Sequence, residues 1–171
     1  MAIGMRRKTL NHEDLDSLSA EFFREFARYE YCLKAVGFLK RANGEADQRD
    51  AQADWRRYAD EPAVRRLFAE KADAEFAEAV NFYLVAPPRK QVVKQGVLDW
   101  DAVLPDHGHE AELVLQLICR TRNNLFHGGK INGHWFEPQR SLDLLRRGLT
   151  ILAACAQVHE RVRQAYAGQR D

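Results

Sequence analysis

The chain has 171 residues, 46% of them hydrophobic and 30% charged, the balance of one soluble globular domain with a hydrophobic core. Its net charge of +1 supplies no global field toward nucleic acid, so any contact with phosphates must come from a local patch. Cys32, Cys119 and Cys155 contain no C-x-x-C pair, which argues against a disulfide framework or zinc site and for buried free thiols; the N-terminus lacks a signal-peptide core and no stretch approaches the roughly 20 apolar residues of a membrane span, so no membrane association and a cytoplasmic location are expected.

The first helix is predicted to begin between Asn11 and Ser19, both able to cap it, because Phe22, Phe26, Tyr29, Leu33 and Val36 recur at helical spacing. The polar stretch from Ala42 to Gln52, with Asn43-Gly44, reads as a loop, and a short helix is expected around Trp55 and Tyr58. Pro62 suits a first-turn position, and Val64, Leu67, Phe68, Phe76, Val80 and Tyr83 then predict a second long helix that Pro87-Pro88 ends. Between Gln91 and Trp100 the periodicity changes. There Val92, Val93, Val97 and Leu98 around Gln95-Gly96 predict a small hairpin or an ordered loop.

A third helix is expected from near His109 to His127. Its centre, Leu113 to Ile118, is apolar on nearly every side except Gln116, the pattern of a helix central in a bundle. Gly128-Gly129 stops it. A loop leads to Pro138, and a last helix runs from about Gln139 to Tyr166 with Leu142, Leu145, Leu149, Leu152 and Ala156 on one face. The fold class expected is therefore all-α: a bundle of four main helices with a short additional helix and a small hairpin, forming a single domain over residues 1–171.

The segment with chemical content is Cys119-Arg-Thr-Arg-Asn-Asn-Leu-Phe-His-Gly-Gly-Lys130. Polar residues in the last turns of a core helix need partners or a task. Arg122 and His127 are five positions apart, about 140° in azimuth on an ideal helix, and converge if the helix end unwinds, which Gly128-Gly129 makes easy. A histidine at a helix C-terminus sits where the dipole favours its charged form, and its proton exchange near neutral pH suits acid–base work. Arg122 presents a planar fork of donors that fits a phosphate. Asn123 orients either the histidine or the phosphate.

This pattern resembles the HEPN superfamily, whose signature is an Arg, usually followed by a polar residue, and a His after a short gap. Arg122, Asn123 and His127 match it, and the string RNNLFHGGK is similar to a subset of bacterial HEPN proteins. Further similarity lies in the helix from Phe22 to Phe38 with E-x-x-L-K at Glu30 to Lys34, in Trp55, in P-P-R-K-Q at Pro87 to Gln91 and in Trp100, so the resemblance covers most of the chain. It implies a HEPN-like helical domain and an endoribonuclease, many members being toxins or phage-defence effectors. It also implies homodimers that bring two Arg/His sets into one composite site. The catalytic set would be Arg122, Asn123 and His127, with RNA as substrate and no cofactor or metal. An antitoxin or a nucleotidyltransferase-like protein is the partner a toxin would have. The alternative is a catalytically silent dimeric HEPN module that binds a partner protein or nucleotide, as some members do.

Local charge fits a phosphate partner. Between Cys119 and Arg147 lie six basic residues (Arg120, Arg122, Lys130, Arg140, Arg146 and Arg147) against two acidic ones, Glu137 and Asp143. Arg120, Lys130, Trp135 and Arg140 are the candidate substrate-binding residues, with His134, Trp135 and Phe136 in a loop able to stack on unpaired bases. Each functional reading has a structural counterpart. Arg122 and His127 could pin the helix end, Asn123 could cap it, and Asn124 caps or packs. Packing or a dimer contact ranks ahead of base stacking for Trp135 and Phe136, and a solvated helix face is the default for Arg146 and Arg147. His107 and His109, beside Asp106 and Glu110, read as a polar loop with Asp106 as helix cap, not as a metal site.

Overall fold

The computed structural model describes residues 12–40, 50–126, 130–131, 134–135 and 137–168. They form α1 (His12–Ala35), α2 (Trp55–Ala59), α3 (Pro62–Glu70), α4 (Ala74–Val85), β1 (Lys90–Lys94), β2 (Val97–Asp101), α5 (Glu110–Phe126), β3 (Lys130–Ile131), β4 (His134–Trp135), α6 (Pro138–Val158) and α7 (Glu160–Tyr166). The domain is mostly helical, and among the described residues no helix is long and apolar enough to cross a membrane.

Two expected long helices are broken, each by an identifiable cap. The second stops at Lys71, which adopts a left-handed conformation (φ 45°, ψ 43°) and returns its N–H to Leu67 O. It restarts at Asp73, whose carboxylate accepts the Phe76 N–H at 2.8 Å. The break brings Phe68 edge-on to Phe76, with centroids 5.2 Å apart. The last helix breaks at His159, where extended backbone ends α6 and Nδ1 accepts the Val162 N–H at 3.4 Å to begin α7. The apolar stripe runs through both breaks, so periodicity alone reads them as continuous. α7 turns onto α1: the Tyr166 ring meets Tyr29 edge-on at 5.8 Å and its hydroxyl donates to Glu25.

The segment after Pro87-Pro88 is the hairpin alternative. β1 and β2 pair antiparallel in register from Lys90↔Asp101 to Lys94↔Val97. The two turn residues, Gln95 (φ 52°) and Gly96 (φ 79°), both have positive φ, as a type I′ turn requires. The stretch expected as a loop up to Pro138 contains a short antiparallel pairing, Lys130↔Trp135 and Ile131↔His134. The loop expected from Ala42 to Gln52 lies largely outside the described residues. Its far end is tied back by the Leu39↔Ala53 bridge and the Asp54 N–H to Phe38 O bond of 2.8 Å.

α6 lies against α1 and α4, and α5 packs against α2. The core places Phe22, Tyr29, Tyr58, Phe76, Tyr83, Leu115, Ile118 and Ile151 out of solvent. Three of these carry hydroxyls, which must find acceptors when buried. Tyr58 donates to Cys155 O at 2.8 Å, a carbonyl of the kind a helix end leaves over. Because that uses the Tyr58 proton, Tyr29 is the donor in the 2.6 Å contact between the two hydroxyls. Tyr83 donates to Leu144 O at 2.8 Å and lies 3.3 Å from Thr121 Oγ1. The three cysteines are free thiols, Cys32 and Cys155 buried and Cys119 partly so.

Gly148 makes the Tyr83 bond feasible. A Cβ there would lie 2.8 Å from both the Tyr83 hydroxyl and Phe22 Cε2, so any side chain would push out the ring that reaches Leu144. Gly148→Ala should therefore destabilise the fold by about 1–3 kcal/mol despite the roughly 1 kcal/mol gain in helix propensity. Tyr83→Phe, which removes only the hydroxyl, should cost about 1 kcal/mol. Urea unfolding of both variants checks this; an unchanged or raised midpoint for Gly148→Ala would contradict the close approach.

Candidate active site

The N-terminal end of α5 is fixed by a polar network. Gly108 N–H donates to Glu112 Oε2 at 2.8 Å, and Glu112 N–H donates to His109 Nδ1 at 3.3 Å. Arg56 Nε pairs with Glu112 Oε1 at 2.9 Å, and His109 Nε2 faces Asp60 at 2.8 Å. The capping expected of Asp106 thus falls to His109. Asp106 contributes its carbonyl instead, to Arg56 at 2.6 Å and to Gln116 at 3.0 Å. Among the described residues no group of three or more His, Cys, Asp or Glu side chains is arranged to hold a metal ion.

Anchored there, α5 delivers its last two turns into a groove of about 1140 Å³ between α1, α2 and the hairpin. Arg122 lies in it with its guanidinium carbon 5.1 Å from the Phe26 ring centroid. Nη2 pairs with Glu30 at 3.2 Å, and Nη1 donates to Asn123 Oδ1 at 3.0 Å. The plane of the fork is thereby set by an aromatic face, an anion and an amide, while about a third of the side chain (32%) stays in solvent. Lys40, Arg56, Lys90 and Arg120 also line the groove, against the acidic Glu30, Asp101 and Asp106. Cys119 lines it too, but burial, reinforced by Glu30, pushes its thiol up to about 12; near neutral pH it is a protonated thiol and a poor nucleophile.

Three side chains hold the link between α4 and the hairpin. Arg140 donates to Pro87 O at 2.7 Å, Arg120 to Pro88 O at 3.2 Å and Asn124 to Arg89 O at 2.8 Å. Arg120 also donates to Val103 O at 2.9 Å. The structure thus gives Arg120 and Arg140, read from the sequence as substrate-binding, a positioning task on the backbone.

Lys130 and Trp135 are brought opposite each other in the β3–β4 pairing. His127 and Phe136 lie outside the described residues. Asn123 is engaged with Arg122 and Asn124 with the linker. Arg147 faces α4, paired with Glu78 at 2.8 Å and lying over Phe82.

Glu30 is the groove residue that the motif does not contain. A signal for it exists in the sequence: Phe22, Phe26, Glu30 and Leu33 fall on one helical face, so Glu30 interrupts an apolar stripe with a charge. Lys40, Arg56 and Lys90 carry no such signal, because their meeting depends on how distant segments pack. No protein-family model, no curated protein and no solved structure matches the chain.

The Arg122–Glu30 pair is partly solvated, so it contributes little to folding. Glu30→Gln should shift unfolding free energy by less than about 1 kcal/mol. Phe26→Ala, which empties a site only 2% exposed, should cost about 3–5 kcal/mol. Chemical denaturation distinguishes the two; a large loss for Glu30→Gln would make the pair structural instead of a means of holding Arg122.

Proposed function

We propose that the chain is a HEPN-type, metal-independent endoribonuclease in which Arg122, Asn123 and His127 act on RNA. The observation that carries this reading is the setting of Arg122. Its fork of donors is pre-oriented by Phe26, Glu30 and Asn123, partly open to solvent, in a groove with four further basic side chains. A guanidinium held in this way is suited to charge that develops on a phosphate, since no reorganisation is needed when the charge appears. It also fits two phosphate oxygens at once.

In the reaction proposed, the RNA 2′-hydroxyl attacks the adjacent phosphorus and the bond to the 5′-oxygen breaks. The products are a 2′,3′-cyclic phosphate and a 5′-hydroxyl. His127 moves the proton, from the 2′-oxygen or to the leaving oxygen. Arg122 stabilises the equatorial oxygens, and Asn123 keeps its fork in place. An entering phosphate competes with the Glu30 carboxylate for the same donors. The RNA-acting form is a homodimer in which two copies bring their Arg122/His127 sets to one cleft. A role as a toxin or phage-defence effector, with an antitoxin or nucleotidyltransferase-like partner, is the biological setting that such an activity suits.

Purified protein incubated with mixed RNA in EDTA should cleave it and leave DNA, which lacks the attacking hydroxyl, intact. His127→Ala should abolish cleavage with the helical circular dichroism retained. Arg122→Ala should lose about a hundredfold or more, and Arg122→Lys should rescue poorly because a point charge does not reproduce a two-pronged contact. Wild-type protein that cuts no RNA, or His127→Ala that cuts as well as wild type, would sink the enzyme reading and leave the silent binding module in its place. Light scattering at micromolar concentration should give the mass of a dimer; a monomer that cleaves RNA would refute the composite site.

A further inference from the structure

A second cavity, of about 340 Å³, lies beside the groove, bounded by the linker at Pro88-Arg89, the end of α5, the start of α6 and Trp100 of β2. Its wall is mainly apolar, with Pro88, Trp100, Leu125 and Leu144 among the residues that form it. Asn124 lines both this cavity and the groove, so the cavity lies against the same end of α5 that carries Arg122.

The hairpin extends an apolar face beyond this cavity. Val93 and Leu98 are cross-strand partners, one pair back from the Lys94↔Val97 end of the ladder. Side chains alternate along a strand, so Val93 and Leu98 share a face with Trp100, about 7 Å further along β2. Trp100 is half-buried, whereas Val93 is 75% and Leu98 61% exposed. A two-stranded hairpin is marginal by itself, and an apolar strip that runs from a cavity out onto a sheet face is the kind of surface that takes a partner.

The charges at the rim are of both signs. Arg89 is exposed, and no hydrogen bond or ion pair among the described residues uses its guanidinium. Glu137 lies 3.5 Å from Arg140 Nε and its side chain is 60% exposed. One face thus carries an apolar projection, an apolar hollow, an uncommitted cation and a solvated carboxylate. Such a face is complementary to itself, because across a two-fold axis residue i meets j while j meets i.

We propose that the partner on this face is a second copy of the chain. Val93 and Leu98 of each hairpin pack over the Trp100 of the other copy and into its cavity, and Arg89 of each faces Glu137 of the other. The apolar contact supplies affinity, and the two charge pairs fix orientation. This deepens the homodimer of the ribonuclease reading and rests on that reading for the purpose of the contact: Asn124 and Leu125 wall the cavity, so a copy seated there adjoins the end of α5 that carries Arg122.

Sedimentation velocity of the full-length protein at micromolar concentration should show a dimer. Leu98→Glu, a change at an exposed hairpin position, should raise the dissociation constant about a hundredfold or more by burying a charge, with circular dichroism and the urea midpoint unchanged. Arg89→Glu and Glu137→Arg should each weaken the dimer about tenfold, because each places like charges opposite one another at both contacts. Mixing these two variants should restore it, since the mixed dimer has opposite charges at both contacts. A monomeric wild type, a dimer indifferent to Leu98→Glu, or charge variants that do not recover on mixing overturns the proposal. A monomer that holds a different protein on this face overturns it as well. A dimer that dissociates with Leu98→Glu but cuts no RNA upholds the interface and sinks the ribonuclease reading. RNA cleavage by a dimer indifferent to Leu98→Glu does the reverse.

Discussion

The linker between α4 and the hairpin presents three consecutive carbonyls, at Pro87, Pro88 and Arg89, and its two prolines have no N–H to offer a ladder. Unpaired carbonyls at a partly buried site are costly. Here each accepts from a different side chain: Pro87 from Arg140, Pro88 from Arg120, Arg89 from Asn124. Those donors come from the end of α5 and the start of α6, so one set of hydrogen bonds locks the hairpin against both helices. The groove containing Arg122 and the cavity containing Trp100 are bordered by this junction and share Asn124 as a wall. If the clamp were loosened, both would lose a side.

The clamp also changes the meaning of the local charge. The excess of basic residues around the motif suggests a surface for phosphates, yet Arg120 and Arg140 donate to the backbone, and Arg147 is paired with Glu78 of α4. The cations that join Arg122 in the groove are Arg120 itself and Lys40, Arg56 and Lys90, from before α2, from α2 and from β1, and Arg56 is likewise committed, to the Asp106 carbonyl and Glu112. A guanidinium spent on carbonyls retains its charge and still contributes to the field, but its directional donors are used. The partners of Arg122 include a carboxylate, an amide and a ring, groups that an incoming phosphate can replace or share.

Beneath the site, the core resolves the same problem of buried polar atoms with tyrosines. Tyr58 finds a carbonyl of the α6 end and Tyr83 a carbonyl in its middle, the latter reachable because Gly148 leaves room. These bonds tie α2 and α4 to α6. The helix that carries the motif is thus embedded in a frame whose positions are specified by hydrogen bonds as well as by apolar packing.

The helical character of the domain, the existence of α1, α2 and α5, the hairpin as one of two alternatives, and the burial of the apolar run from Leu113 to Ile118 were legible in the sequence, because amphipathic spacing, Gln95-Gly96 and that run are local signals. Arg122 and Asn123 could be singled out for the same reason, since they share one short segment, and both line the groove; His127 lies outside the described residues. The breaks at Lys71 and His159 were not legible, since the apolar stripe continues across them and the deciding events are a left-handed residue and two side-chain caps. Nor was the partnership of Arg122 with Glu30, 92 residues apart, beyond the hint of a charge on an apolar face. The division of the arginines into one held in a groove and two bound to a linker was decided by tertiary structure alone. A guanidinium's task depends on which acceptors lie within about 3 Å of it, and those acceptors are brought there by packing of segments far apart in the chain.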